Sequence, residues 1–117
     1  MKPRSAKNKG RRLQKEVQQQ LLESFKGILE EDDIKVAIMG ESGTDIKLSP
    51  LARKYIPYSI ECKNQEKLNI WQALKQTEEN TREGTEPALI FRRNNTQSYV
   101  VLHLEHFLKM LEKSNGD

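Results

Sequence analysis

The sequence predicts an α/β domain with one central, mixed, five-stranded sheet flanked by helices, in the order helix, three strands, helix, two strands, helix (αβββαββα). Three observations lead there. Apolar residues recur at helical spacing in three separated stretches, they alternate with polar residues at strand spacing in the intervals between, and glycine, proline or asparagine marks most of the changeovers. At 117 residues the chain is the size of a single domain with one modest core.

The first helix is expected from about Leu13 to Leu29, where Leu13, Val17, Leu21, Phe25 and Ile28 share a face and no proline or glycine intervenes before Gly27. Glu16 projects roughly 60° from Leu13, at the edge of that stripe beside Gln20. After the acidic turn Glu30 to Asp33, the β-branched run Ile34 to Ile38 reads as a strand that Gly40 and Gly43 break. Asp45 to Leu48 alternates, with Ile46 and Leu48 on one face and Asp45 and Lys47 on the other. Ser49-Pro50 has the form of an N-cap followed by proline at the first helical position, opening a short turn through Lys54.

Pro57 to Lys63 alternates again, so Tyr58, Ile60 and Cys62 face one way and Ser59, Glu61 and Lys63 the other. A second helix is expected from Asn69 to Arg82 on Ile70, Ala73, Leu74 and Thr77, with Trp71 on its flank, Gln76 off the stripe and Gly84 as the stop. Ala88 to Arg92 and Ser98 to Leu104 flank Asn94-Asn95, a hairpin signal, and a last helix covers Glu105 to Glu112. The apolar stretch Tyr99 to Leu111 offers a dimer interface, although ordinary core is the expectation for Val101 and Leu104.

The formal charge of +3 is unevenly spread. Residues 1–16 hold seven basic side chains, among them Lys7, Lys9, Arg11 and Arg12, against Glu16 alone, whereas the rest of the chain carries 13 basic and 16 acidic residues. This pattern divides the chain into a basic, flexible arm at 1–11, a folded domain at 12–113 and a frayed tail at 114–117. Such an arm either merely solubilises or contacts nucleic-acid phosphates, for which Lys7, Lys9, Arg11 and Arg12 are the candidates, with Lys67 a further one within the domain. One cysteine excludes an intrachain disulfide and a cysteine-based zinc site, and fits a reducing compartment. With no apolar run near membrane-spanning length and no apolar leader, the expectation is a cytoplasmic protein that does not engage membranes.

The chemistry gathers at Ser42-Gly43-Thr44-Asp45 and Glu61-Cys62-Lys63. If both segments are neighbouring strands, Asp45 and Glu61 stand together at a sheet edge, where two carboxylates repel unless a cation lies between them. Oxygen donors favour Mg²⁺, with Mn²⁺ a substitute, and the carbonyl of Cys62 is a natural further ligand. Lys63 then stands where it can orient a metal-bound water or stabilise charge on a phosphate. The plainer alternative is a Glu61/Lys63 surface ion pair, worth at most about 1 kcal/mol. Cys62 itself reads as a core-facing strand residue, with no histidine placed to activate it.

These residues and their order resemble the PD-(D/E)XK nuclease superfamily, and within it the archaeal-type Holliday junction resolvases and their small phage-encoded relatives, over roughly Gly10 to Leu111. The resemblance implies a restriction-endonuclease-like fold and a catalytic set of Glu16, Asp45, Glu61, Lys63 and Gln76. Asp45 and Glu61 would bind the metal, Glu16 would act directly or through a metal-bound water, Gln76 would support the site from the second helix, and Ser42 would lie in a loop at its mouth contacting DNA. It further implies a homodimer acting on branched DNA in recombination, in the host cytoplasm if the protein is phage-encoded. Thr44 departs from the proline of the family's name, at a position that varies widely. Other small nucleases of the superfamily (nickases, flap or mismatch enzymes) share these motifs, and a non-catalytic DNA-binding protein on the same scaffold is the rival class.

Overall fold

A computed structural model describes residues 3–116 of the chain. Its elements are α1 (Pro3–Ser24), a 3₁₀ turn (Glu31–Asp33), β1 (Ile34–Val36), β2 (Ile46–Leu48), α2 (Pro50–Tyr55), β3 (Tyr58–Asn64), α3 (Ile70–Glu79), β4 (Glu86–Arg92), β5 (Tyr99–Val101) and α4 (Leu104–Gly116). Among the described residues no helix is long and apolar enough to cross a membrane.

The helix expected from Leu13 starts ten residues earlier, so the division at residue 11 falls inside α1 and not at its edge. A tertiary anchor accounts for this: Lys9 is 7% exposed, its Nζ lies 3.0 Å from Glu66, and its carbonyl accepts a bond from the Asn64 side chain at 2.9 Å. Residues 1–2 of the expected arm lie outside the described residues. At the other end α1 stops at Ser24, since Gly27 turns the chain with φ +87° and lets Ile28 and Leu29 bond back to Phe25. The tail expected to fray from residue 114 continues α4 through Gly116, and residue 117 is outside the described range.

Five strands form, but in two sheets and not one. β1 and β2 pair antiparallel, with Val36 opposite Ile46. β3 and β4 run parallel over seven residues, from Tyr58 opposite Glu86 to Asn64 opposite Arg92, and β5 adds antiparallel to β4. Between the sheets one backbone bond runs from the Asp45 amide to the Ile60 carbonyl at 3.0 Å. The ladder stops there because the next donor on β3, the Cys62 amide, is taken by the Asp45 side chain (Oδ2, 2.7 Å) and not by a strand carbonyl. The sheet gap therefore falls at the residue that was expected to carry chemistry.

Pleat alternation sets the layers. Ile60 and Cys62 of β3, with Ala88 of β4, pack against Leu13 and Val17 of α1 in a core that also holds Leu29, Ile34, Ile46, Ala52 and Ile56. The opposite face carries Ser59, Glu61 and Leu89 under α3, whose Ala73 and Thr77 are buried. The predicted cap forms, Ser49 accepting from the Ala52 amide with Pro50 at the first helical position, and Asn69, where the second helix was expected to begin, caps α3 by accepting from the Gln72 amide. The Asn94-Asn95 signal also holds, as Asn95 adopts φ 62° between β4 and β5.

Candidate active site

Asp45 enters the site from a loop with Gly40 and Gly43 at positive φ. At Gly43 the backbone needs glycine's freedom at φ +92°, and beside it the Lys47 ammonium donates to the Ser42 carbonyl at 2.8 Å. Ser42 itself is exposed on this loop. The loop delivers Asp45 to the edge of β3, its amide on Ile60 and its carboxylate on Cys62.

Which groups share that edge follows from β3's backbone. The Pro57 carbonyl and the Gln65 amide bond to the β4 side, so odd-numbered residues direct their peptide groups to β4 and even-numbered ones to Asp45. The Cys62 carbonyl therefore points to the same edge as the Cys62 amide that Asp45 accepts. Glu61, 3% exposed, turns its side chain to the α3 face, where Asn80 Nδ2 donates to its Oε1 at 2.9 Å.

Burial pushes the Glu61 carboxyl up to about 7, aided by the charge of Asp45 and by a hydrogen bond between the two carboxyl groups. The bond from Asn80 and the charge of Lys63 oppose this shift. The buried Glu61 carboxyl, beside Asp45, therefore keeps its proton until near neutral pH. The Cys62 thiol is likewise pushed up, first by burial and then by the charges of Asp45 and Glu61, which leaves it an inert packing group.

Lys63 lines an open groove of about 610 Å³ beside α3, together with Lys67, Gln72, Lys75 and Gln76. Gln76 is exposed there, one helical turn before Asn80. A smaller opening of about 240 Å³ lies against Thr44 and Asn80 and is rimmed by Lys47, Arg53 and Arg82. Cationic side chains thus line both openings, with Glu79 also on the larger one, and such groups suit contact with a phosphodiester backbone.

Two expected members are placed elsewhere. Glu16 lies on the α1 side of β3 and β4, where the Arg92 guanidinium pairs with it and holds its carboxyl below the usual range. Arg92 is opposite Asn64 in register and shares the Ala88 and Ile90 face, so Glu16 and Glu61 are on opposite faces of the sheet. Lys9, expected among the phosphate contacts, is buried against Glu66, whereas Lys7, Arg11, Arg12 and Lys67 are exposed. Asn80 was not foreseen. Extending the Ile70, Ala73, Thr77 spacing by three more residues reaches it and would have placed it on the sheet-facing side.

The donor set suits a hard cation. Among the described residues no group of three or more His, Cys, Asp or Glu side chains is arranged to hold a metal ion. Two carboxylates and one carbonyl are nonetheless the kind of protein contribution Mg²⁺ takes, with waters and substrate phosphate completing its shell.

A carboxylate pair at a sheet edge, a lysine two residues along the same strand and helices on both faces define a site of the PD-(D/E)XK type. The chain belongs to the family described as "Phage putative PDDEXK endonuclease", whose model it matches over residues 5–117, and thereby to the PD-(D/E)XK nuclease superfamily. That family makes the chain a nuclease with DNA as its substrate class. Comparisons with curated proteins and with solved structures give no match.

Proposed function

We propose that this protein is a divalent-metal-dependent, structure-selective DNA endonuclease that resolves four-way junctions as a homodimer. The observation that carries the reading is the Asp45 carboxylate seated on the Cys62 amide, at the edge where the Cys62 carbonyl also points, beside the buried Glu61 and with Lys63 on the adjoining groove. Asp45, Glu61 and the Cys62 carbonyl would hold Mg²⁺ or Mn²⁺. When bound, such a cation supplies Lewis-acid polarisation of the scissile phosphate and a water of lowered pKa.

The protein's own groups do the rest. The Cys62 amide fixes one Asp45 oxygen, and Asn80 fixes one Glu61 oxygen, so both carboxylates are oriented before substrate arrives. Lys63 stabilises the charge that builds on the phosphoryl oxygens, and Gln76 contacts the substrate from α3 within the same groove. Lys67 and Lys75 track the backbone on either side. Resolution of a junction needs two nicks, which two subunits provide.

The test is a labelled four-way junction beside a matched linear duplex, each with Mg²⁺ or EDTA, read on a denaturing gel. Paired nicks confined to the junction and dependent on Mg²⁺ are expected, with Asp45→Asn and Lys63→Ala binding but not cutting. Equal cutting of both substrates would replace junction resolution with general nuclease activity. Binding without cutting under any metal would reduce the protein to a DNA-binding one.

A further inference from the structure

Glu61 and Lys63 share the α3 face of β3, and the strand registers carry that face across the sheet. Glu61 is level with Leu89 of β4, and Leu89 with Val101 of β5. Helix α3 covers this rung, where Leu74 and Thr77 stand beside Leu89 and Val101. Val101, expected as core, is half-buried there, whereas Leu104, expected likewise, is exposed on α4. One rung further, Lys63 is level with Phe91, and Phe91 with Tyr99. This rung is open: the Phe91 and Tyr99 rings stack on each other, centroids 5.8 Å and planes 29° apart, and Tyr99 is 56% exposed. An aromatic pair therefore stands one and two strands, about 5 and 10 Å, across the sheet from the backbone of Lys63.

The two rings line an opening of about 490 Å³ with Leu68, Ile70 and Arg93. Gln65 and Leu68 line both this opening and the Lys63 groove, so the two adjoin. The surround is braced in advance. The Gln65 amide donates to the Arg92 carbonyl at 3.2 Å and the Asn94 amide to the Glu66 carboxylate at 2.6 Å, which ties the loop after β3 to the turn after β4. Glu66 also pairs with Lys9, and Arg92 pairs with Glu16. Arg93 is exposed and has no carboxylate at ion-pair distance among the described residues, so it is the cation left to meet an anionic ligand.

The substrate selects the occupant. DNA is the substrate class of this family, and its bases are the part of it that offers an aromatic face. In a paired duplex each base is already stacked on both sides, so only an unpaired nucleotide has a face to give. We propose that Phe91 and Tyr99 form a base-binding site, which stacks an unpaired base of the DNA strand whose phosphate lies at Lys63, with Arg93 on the adjoining phosphate. This rests on the structure-selective nuclease reading above and gives it a source of selectivity. Paired DNA meets only the lysines of the groove, whereas DNA with an unpaired nucleotide beside the cut also fills the aromatic site.

The test is anisotropy titration of the full chain, in EDTA so that nothing is cut, on two labelled DNAs of one sequence: a complete duplex, and the same duplex with a short gap that leaves one strand unpaired. The wild type is expected to bind the gapped DNA more tightly. Tyr99→Ala should weaken gapped binding about 5- to 100-fold and leave duplex binding unchanged. Tyr99→Phe, which retains a ring, should bind as the wild type does, and Tyr99→Leu, which retains only apolar bulk, should fall with Tyr99→Ala. A fluorescent base analogue in the gap should be quenched by the wild type and not by Tyr99→Ala, and circular dichroism checks that every variant folds. Equal wild-type affinity for the two DNAs, no binding of either, equal weakening of both by Tyr99→Ala, or full gapped affinity in Tyr99→Leu would each overturn the site. Junction cutting in Mg²⁺ is read separately: cutting without stacking would sink this inference alone, and stacking without cutting would support the base site while sinking the nuclease reading.

Discussion

Glu61→Gln should make the metal-free protein more stable while ending cleavage. Glu61 is buried against Asp45, and its carboxyl is pushed from 4.5 to about 7. Below pH 4.5 it is protonated in both the folded and unfolded chain and costs nothing. Between 4.5 and 7 the unfolded chain has lost the proton and the folded chain retains it, so stability falls as pH rises. Above 7 both forms are ionised and the loss is complete, at about 3 kcal/mol by 1.36 kcal/mol per unit. The amide introduced by Glu61→Gln reproduces the protonated carboxyl, since it can donate towards Asp45 and still accept from Asn80. Urea unfolding in EDTA at pH 5, 6, 7 and 8 reads the effect. The wild type should lose stability across the series, the variant should stay level, and the gap at pH 8 should be about 2–3 kcal/mol, or about 10 °C in Tm. Mg²⁺ should narrow that gap by stabilising only the wild type. A wild type level from pH 5 to 8, or a variant no more stable than it at pH 8, would refute the burial and charge coupling on which the site rests.

Three further outcomes are expected. Asn80→Ala should weaken Mn²⁺ binding about 10- to 100-fold by calorimetry, since Glu61 loses the donor that orients it, and an unchanged affinity would remove Asn80 from the site. Glu16→Gln should leave junction cutting near wild type and cost only about 0.5–1 kcal/mol in urea, because the carboxylate serves Arg92; abolished cutting with unaltered stability would return Glu16 to the catalytic set. Lys67→Ala with Lys75→Ala should lower DNA affinity and reduce its salt slope by about one per lost contact in anisotropy titrations, whereas Lys9→Met should spare DNA binding and loosen α1; the opposite ranking would place the DNA path along α1.

Local pattern carried the parts of the fold that local physics determines. The alternation of β3, the cap at Ser49 and the turn at Asn95 depend on neighbours in sequence, and each is where the sequence indicated. The start of α1 was not legible, because its first turns have no apolar stripe and hold their place through Lys9 reaching Glu66, 57 residues away. The placement of Glu16 was not legible for a related reason. Periodicity put it at the edge of a stripe but could not say which face of the sheet α1 would cover, and α1 covers the Cys62 face, opposite Glu61.

The failure of the one-sheet expectation has a single cause, and it coincides with the site. Regular pairing of β2 onto β3 would present a strand carbonyl to the Cys62 amide and leave both edges saturated. Asp45 instead offers that amide a carboxylate oxygen, at 2.7 Å, after only one ladder bond. The same act keeps β2 from zipping further, leaves the edge of β3 open where the Cys62 carbonyl points, and brings one carboxyl against another at Glu61. A β-branched residue at this position would suit the strand better and would remove both the opening and the charge. Departure from local rule at one residue, compensated by the seven-residue parallel pairing of β3 with β4, is what a position serving the proposed chemistry over stability would show.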